Sequence, residues 1–243
     1  MSEHSKACCS IPPVVANGYE AKGSYSQVAG LKTYITGPSD SKKAILYVYD
    51  IFGFCDQCLQ GADILAKTHM VIMPDFFDGA PAHLSWFAPG SDDGQTKLGE
   101  FIKTKASPPL HLERIAKVVE EITASKGVTE WGAVGMCWGG KVVTLCSGAG
   151  TKWKAGAQCH PAMLDPKEAE DISIPYATLA SKDEDKDTVV AFGKASKAET
   201  IVEIFEDQIH GWMAARANLE DERVKSEYAR GYKILNDFFA NYL

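Results

Sequence analysis

The sequence predicts an α/β fold in which helices cover both faces of a mostly parallel sheet. Short apolar runs without alternation recur along the chain, which is typical of strands buried on both sides. Segments with apolar residues at helical spacing separate these runs, and alternating strands and helices favour parallel pairing. The chain has 243 residues, 45% of them hydrophobic, which is enough for one sizeable core. We therefore expect a single domain over residues 1–243, in which residues 1–20 form a loosely ordered N-terminal segment.

The first part of the chain shows one hairpin signal and one aperiodic segment. Ala29-Gly30 separates two short runs of strand-forming residues, which predicts an edge hairpin over residues 22–36. The segment from 74 to 109 carries aromatic residues, glycine and proline without periodicity, so we predict an irregular pocket wall or lid there. Between these segments the pattern predicts strands at Ala44–Tyr49 and His69–Met73 and a helix at Asp56–Lys67.

The rest of the chain alternates between helices and strands. Apolar residues from Leu112 to Ile122 recur at helical spacing, and Gly127 is expected to end that helix. Further strands are predicted at Trp131–Gly135, Ala155–Cys159, Tyr176–Ala180 and Ile201–Phe205, and further helices from about Gly139, at about Lys186–Ala198 and at about Asp221–Phe239.

Charge and cysteine usage exclude several classes of protein. The chain has 25 basic and 32 acidic residues, a net charge of −7 and no long basic run, so we expect no nucleic-acid partner. The N-terminus lacks the apolar core of a signal peptide, and no stretch reaches the roughly 20 apolar residues needed to cross a bilayer. Seven cysteines without the spacing of a secreted disulfide framework suit a reducing compartment. We therefore predict a cytoplasmic protein without membrane association.

The most distinctive motif is Gly135-Met-Cys-Trp-Gly-Gly140, a G-x-C-x-G-G pattern. It fits a nucleophile elbow, a tight turn between strand and helix, with cysteine in place of serine. Glycines two positions on either side of Cys137 permit the turn, since a side chain there would clash with neighbouring backbone. The helix N-terminus lowers the cost of forming a thiolate, and the backbone N–H of Trp138 is placed to donate to a developing oxyanion.

A histidine and an acid follow the cysteine in the chain order expected of a catalytic triad. His210 follows the strand Ile201–Phe205, and its neutral imidazole could accept the thiol proton. Asp183 is the first carboxylate past its strand and is the predicted orienting acid, while Asp185 is the fallback. His160, at the tip of another strand, is expected to line the pocket and is the alternative base.

These motifs resemble the dienelactone hydrolase family of the α/β-hydrolase fold. The likeness runs from Asp50-Ile-Phe-Gly53 through the elbow and Cys159-His-Pro161 to His210-Gly-Trp, so it spans nearly the whole chain. The resemblance implies that the backbone N–H of Ile51 is the second oxyanion donor beside that of Trp138. It also implies that a carboxylate just before Ile51 can take the thiol proton; that position is Asp50, where bacterial members usually carry Glu.

Chemistry and spacing narrow the expected substrate. A thiolate is itself a good leaving group, so productive acylation favours a departing enolate, phenolate or thiolate. We expect an activated ester, enol lactone or thioester to be hydrolysed without metal or other cofactor, by a monomer or a homodimer. In bacterial members of the family, arginines hold the substrate carboxylate. Arg216 is the candidate for this role here, but it lies two residues farther past the histidine than is usual in the family. The other predicted pocket residues are Trp86, Phe87, Trp212 and Met213.

Two alternatives stay open from the sequence. Cys55-Asp-Gln-Cys58 could be a redox dithiol or half of a zinc site, although no second pair completes a metal set. The chain could also be a non-hydrolytic member that binds or isomerises a ligand in the same pocket, because a fold does not fix a function.

Overall fold

Eight strands form one sheet in a computed structural model that describes Val14 and residues 18–87 and 93–243. The prediction for residues 1–20 falls almost entirely outside the described residues. In spatial order β1-β2-β4-β3-β5-β6-β7-β8, only the pairs β1–β2 and β2–β4 are antiparallel. The strands are β1 (Ser24–Val28), β2 (Leu31–Thr36), β3 (Lys43–Val48), β4 (Met70–Pro74), β5 (Glu130–Met136), β6 (Trp153–Cys159), β7 (Tyr176–Ser181) and β8 (Thr200–Phe205).

Seven α-helices follow in the described part of the chain, and none of them combines the length and apolar character that a bilayer crossing requires. They are α1 (Asp56–Leu65), α2 (Gly94–Lys103), α3 (Leu112–Lys126), α4 (Trp138–Leu145), α5 (Pro166–Ala169), α6 (Lys186–Ala195) and α7 (Glu222–Tyr242). Short 3₁₀ helices also occur at Leu84–Phe87 and Pro108–His111. The mostly parallel α/β architecture is the one that the sequence predicts.

Adjacent residues of β5 illustrate how helices cover both faces of the sheet. The indole N–H of Trp131 donates to the hydroxyl of Thr123 on α3, 3.0 Å away. A Cβ on the next residue, Gly132, would lie 2.7 Å from the ring of Phe239 on α7. Because successive side chains of a strand point to opposite faces, α3 and α7 cover opposite sides of β5.

The local turn signals are confirmed. Ala29 and Gly30 have φ values of 50° and 79°, the left-handed pair that a two-residue hairpin needs. Gly127 ends α3 with φ 67°, as a helix-terminating glycine does.

The prediction that the segment 74–109 is irregular is wrong for residues 94–103, which form a helix. This helix is α2, which buries Leu98 and Phe101 three residues apart and packs the neighbouring Ile102 partly against the core. A single helical turn of apolar spacing is too short to stand out among the neighbouring glycine and proline residues.

Candidate active site

Cys137 lies between β5 and α4 in a strained backbone conformation. Its φ of 52° and ψ of −109° are rare for a residue other than glycine. A Cβ on Gly139 would lie 2.1 Å from the carbonyl oxygen of Val48, and one on Gly135 would lie 2.1 Å from the carbonyl oxygen of Gly139. Glycine at both positions therefore lets the first turn of α4 pack directly on the sheet, as the elbow motif predicts.

His210 follows β8 and is held by two consecutive acidic residues from the turn after β7. Its Nδ1 atom lies 2.6 Å from Oε1 of Glu184, and both side chains are buried. The other carboxylate oxygen of Glu184 accepts the backbone N–H of Ser181. Oδ2 of Asp183 accepts the backbone N–H of His210 at 2.8 Å. The pair thus fixes both the ring and the main chain of the histidine.

The ring contact expected of Asp183 is therefore made by Glu184. Asp183 is engaged by the main chain of His210, whereas the longer side chain of Glu184 reaches the imidazole. The fallback residue, Asp185, caps α6 by accepting the backbone N–H of Thr188 at 2.8 Å. Sequence reasoning missed Glu184 because it ranked the carboxylates by their distance from the strand end, not by their reach.

His160 lies beside both the elbow and His210. The backbone N–H of Cys137 donates to the carbonyl of Cys159 at 3.0 Å, and the rings of His160 and His210 are 5.3 Å apart and nearly perpendicular. The side chains of Cys137, His160 and His210 are at most 1% exposed. All three residues lie at the carboxyl edge of the sheet.

Asp50 is a buried carboxylate just past the end of β3. Oδ1 accepts the backbone N–H of Phe52 at 2.8 Å, and Oδ2 accepts that of Ala215 at 3.2 Å. Burial raises the pKa of Asp50 above its ordinary value, although these two N–H groups and the charges of Arg216 and His210 oppose the rise. A carboxylate with a raised pKa is a stronger base than an exposed one.

Ile51 and Trp138, whose backbone N–H groups are the predicted oxyanion donors, are both hydrogen-bonded to residues of the segment 74–109. The carbonyl of Ile51 accepts the N–H of Ala82 at 2.9 Å. The indole of Trp138 donates to the carbonyl of Ala106 at 2.7 Å, and the ring packs on Phe77 with centroids 4.7 Å apart. Ala82, Ala106 and Phe77 all come from the segment predicted to be a pocket wall or lid.

Trp212 and Arg216, two of the predicted substrate-binding residues, are buried. Trp212 is fully buried against Phe205, with ring centroids 4.2 Å apart, and Met213 is buried next to it. The guanidinium of Arg216 lies 5.3 Å from the ring centre of Phe52, beside Asp50. Contact of Trp212 or Arg216 with a substrate stays a prediction.

Trp86, in the segment 74–109, is half-buried. Its ring is 5.8 Å from that of Phe101 on α2, and both residues line a cavity of about 310 Å³. Phe87 contacts Phe52, the residue after the predicted oxyanion donor Ile51, with ring centroids 5.2 Å apart. The described part of the segment 74–109 therefore contacts the candidate site through aromatic rings. A larger cavity of about 1080 Å³ lies at the amino ends of β5 and β6, on the opposite edge of the sheet.

Cys55 and Cys58 lie at the start of α1. Cys55 precedes α1 and is half-buried, while Cys58 is buried in its first turn. Within residues 18–87 and 93–243 and at Val14, no three His, Cys, Asp or Glu side chains are grouped so that they could hold a metal ion.

Comparisons with known proteins identify the family. Residues 31–243 match the model of the dienelactone hydrolase family. An uncharacterized AIM2 family protein of Schizosaccharomyces pombe is 35% identical over 217 residues, covering 86% of this chain and 87% of that protein. A carboxymethylenebutenolidase homolog of Mus musculus is 27% identical over 208 residues, covering 80% and 81%.

Solved structures share the fold. The dienelactone hydrolase of Anabaena variabilis superposes with a TM-score of 0.65 at 12% identity, over 91% of this chain and 99% of that one. A Klebsiella pneumoniae protein assigned to the same family gives a TM-score of 0.71 at 16% identity, over 90% and 98%. The chain therefore belongs to the dienelactone hydrolase family of the α/β-hydrolase superfamily, and this membership indicates hydrolase activity on esters or lactones.

Proposed function

We propose that the protein hydrolyses an activated ester, an enol lactone or a thioester through an acyl thioester on Cys137. The observation that carries this proposal is the positive φ of Cys137 at the strand-to-helix turn. Such strain costs about 1–3 kcal/mol and persists chiefly where a side chain must be held in a special position. Here the close approach of α4 to the sheet maintains it.

In the proposed acylation step, His210 takes the thiol proton and the thiolate attacks the substrate carbonyl carbon. Glu184 holds the imidazole by its Nδ1 atom and stabilises the imidazolium that forms. The backbone N–H groups of Ile51 and Trp138 donate to the oxyanion. Asp50, whose pKa is raised by burial, is the second candidate acceptor of the thiol proton.

The leaving group sets the substrate class. The tetrahedral intermediate can expel either the thiolate or the leaving group, so a poor alkoxide would return the substrate unchanged. Enolates, phenolates and thiolates depart readily, and water then releases the acid from Cys137. The partner is thus a small molecule, for which Trp86, Trp212, Arg216 and His160 are the proposed binding residues.

Cysteine substitution tests this proposal. Turnover of p-nitrophenyl acetate, an enol lactone and an acyl thioester should be lost in Cys137→Ala, and mass spectrometry of the parent should find the acyl group on Cys137. Cys146→Ala is a matched control, since burial raises the pKa of that thiol to about 12 and its side chain lines the remote cavity. If Cys137→Ala hydrolyses these substrates as fast as the parent, the proposal is wrong. Tight binding without turnover would instead favour the non-hydrolytic alternative.

A further inference from the structure

His160 combines two unfavourable features in one residue. It is fully buried, and within the part of the chain that the structure describes neither ring nitrogen has a hydrogen-bond partner. Its φ is 37°, in the left-handed region that favours glycine. Buried polar groups are normally paired, and backbone strain collects at functional sites. The ring therefore has hydrogen-bonding capacity that no described protein group uses.

The backbone around His160 is attached to the nucleophile. The preceding carbonyl, of Cys159, accepts the N–H of Cys137, and the N–H of Ala162 donates to the carbonyl of Cys137 at 3.1 Å. The N–H of His160 itself donates to Leu179 on β7 at 2.7 Å. These bonds hold the imidazole next to the elbow and, at 5.3 Å between ring centres, next to His210.

Strand order places His160 and Ile51, the predicted oxyanion donor, on opposite sides of Cys137. The loop with Ile51 follows β3, which pairs with one edge of β5, whereas His160 follows β6, on the other edge. His160 and His210, which follow β6 and β8, therefore both lie on the side of Cys137 opposite to Ile51. We expect water to reach the proposed thioester from that side.

A neutral His160 ring could accept a hydrogen bond from a water molecule. Burial lowers the pKa of His160 well below its ordinary value, and the nearby His210 and Arg216 lower it further. The ring is therefore neutral near pH 7, with one N–H donor and one lone pair. A water molecule that must be oriented in a buried site needs acceptors for both of its hydrogens.

We propose that His160 is a catalytic residue that binds the water attacking the Cys137 thioester. The proposal rests on the proposed function. The water donates one hydrogen bond to His160 and one to His210, and its oxygen adds to the acyl carbon. His210 takes the proton that the water loses. When the carbon–sulfur bond breaks, the sulfur leaves with the bond pair and takes that proton, so the products are the carboxylic acid and the thiol.

Pre-steady-state kinetics with p-nitrophenyl acetate test the proposal. His160→Phe removes the hydrogen bond between the imidazole and the water, whereas His160→Gln keeps a donor and an acceptor. We expect the steady rate of His160→Phe to fall by about 100-fold more than the rate of its nitrophenol burst. Acetylated Cys137 should accumulate in its mass spectrum, and His160→Gln should recover part of the steady rate. Added hydroxylamine, which cleaves thioesters directly, should restore turnover of His160→Phe.

Several outcomes would overturn the proposal. It is wrong if the burst and the steady rate slow by the same factor, or if the steady rate of folded His160→Phe equals that of the parent. If His160→Phe does not fold, the ratio of burst rate to steady rate in His160→Gln decides, and an unchanged ratio counts against it. A parent protein that gives neither a burst nor acylated Cys137 would overturn the proposed function itself, which separates the two failures.

Discussion

Oε1 of Glu184 lies 2.6 Å from Nδ1 of His210, in a contact whose side chains are 4% and 0% exposed. The neighbouring acid, Asp183, instead accepts the backbone N–H of His210 through Oδ2. A carboxylate against Nδ1 selects the tautomer with its proton on that nitrogen, which leaves Nε2 able to accept a proton. The acid that sets the tautomer is therefore predicted to be Glu184.

Glu184→Gln should lower the rate constant kcat by about 1000- to 10,000-fold. The glutamine amide can donate to Nδ1 and so favour the wrong tautomer, and it cannot stabilise an imidazolium. Steady-state kinetics with p-nitrophenyl acetate measure the effect, and circular dichroism checks the fold.

Asp183→Asn is the matched control for Glu184→Gln. Its amide oxygen can still accept the backbone N–H of His210, so kcat should fall by less than about tenfold. If instead Asp183→Asn loses far more activity than Glu184→Gln, Asp183 is the orienting acid and the contact seen here is not the catalytic one.

Gly139→Ala should destabilise the protein by about 3 kcal/mol or more. The new methyl group would lie 2.1 Å from the carbonyl oxygen of Val48 and 2.6 Å from that of Tyr49, and neither strand-end backbone can give way easily. Gly99→Ala is the control, because nothing lies within 4 Å of a Cβ there and alanine favours its helix by about 0.5–1 kcal/mol. Urea unfolding measures both variants; equal stability of Gly139→Ala and the parent would contradict the tight elbow.

The sheet and the elbow could be predicted because short local stretches of sequence determine them. Apolar runs locate the buried strands, and Gly135 and Gly139 mark where two backbones approach too closely for any side chain. Motif order then placed Cys137 and His210 at the carboxyl edge of the sheet, since parallel strands end there together.

The contacts around His210 could not be predicted, because they depend on side-chain reach. Asp183 and Glu184 are adjacent in sequence, and one methylene decides which of them meets the ring. The packing of Trp212 on Phe205 could not be predicted either, since an indole suits an apolar core as well as a pocket wall. The helix α2 was missed for a similar reason, because its burial is settled by tertiary packing more than by its short apolar pattern.

Asp50→Asn should change how stability depends on pH. Burial raises the pKa of Asp50 in the folded state above the ordinary 3.8 that it has in the unfolded state. Between the unfolded and the folded pKa, the folded state therefore binds more protons than the unfolded state. The contribution of Asp50 to stability is then greatest below its unfolded pKa and is lost as the pH rises through its folded pKa. Asparagine does not titrate, so the free energy of unfolding of Asp50→Asn, relative to the parent, should increase as the pH rises from about 4, near the unfolded pKa of the carboxyl group.

Asp63→Asn supplies the contrast, because that carboxylate is shifted the other way. Burial alone would raise the pKa of Asp63, but hydrogen bonds from Thr36, Lys22, Tyr19 and Tyr34 hold it below 3.8. Its contribution is present above the unfolded pKa and is lost only as the pH falls through the lower folded value. Urea unfolding at several pH values should therefore find a nearly constant difference for Asp63→Asn over the range in which Asp50→Asn gains. A constant difference for Asp50→Asn as well would mean that Asp50 titrates like an exposed carboxylate, which would remove the argument that burial makes it a base.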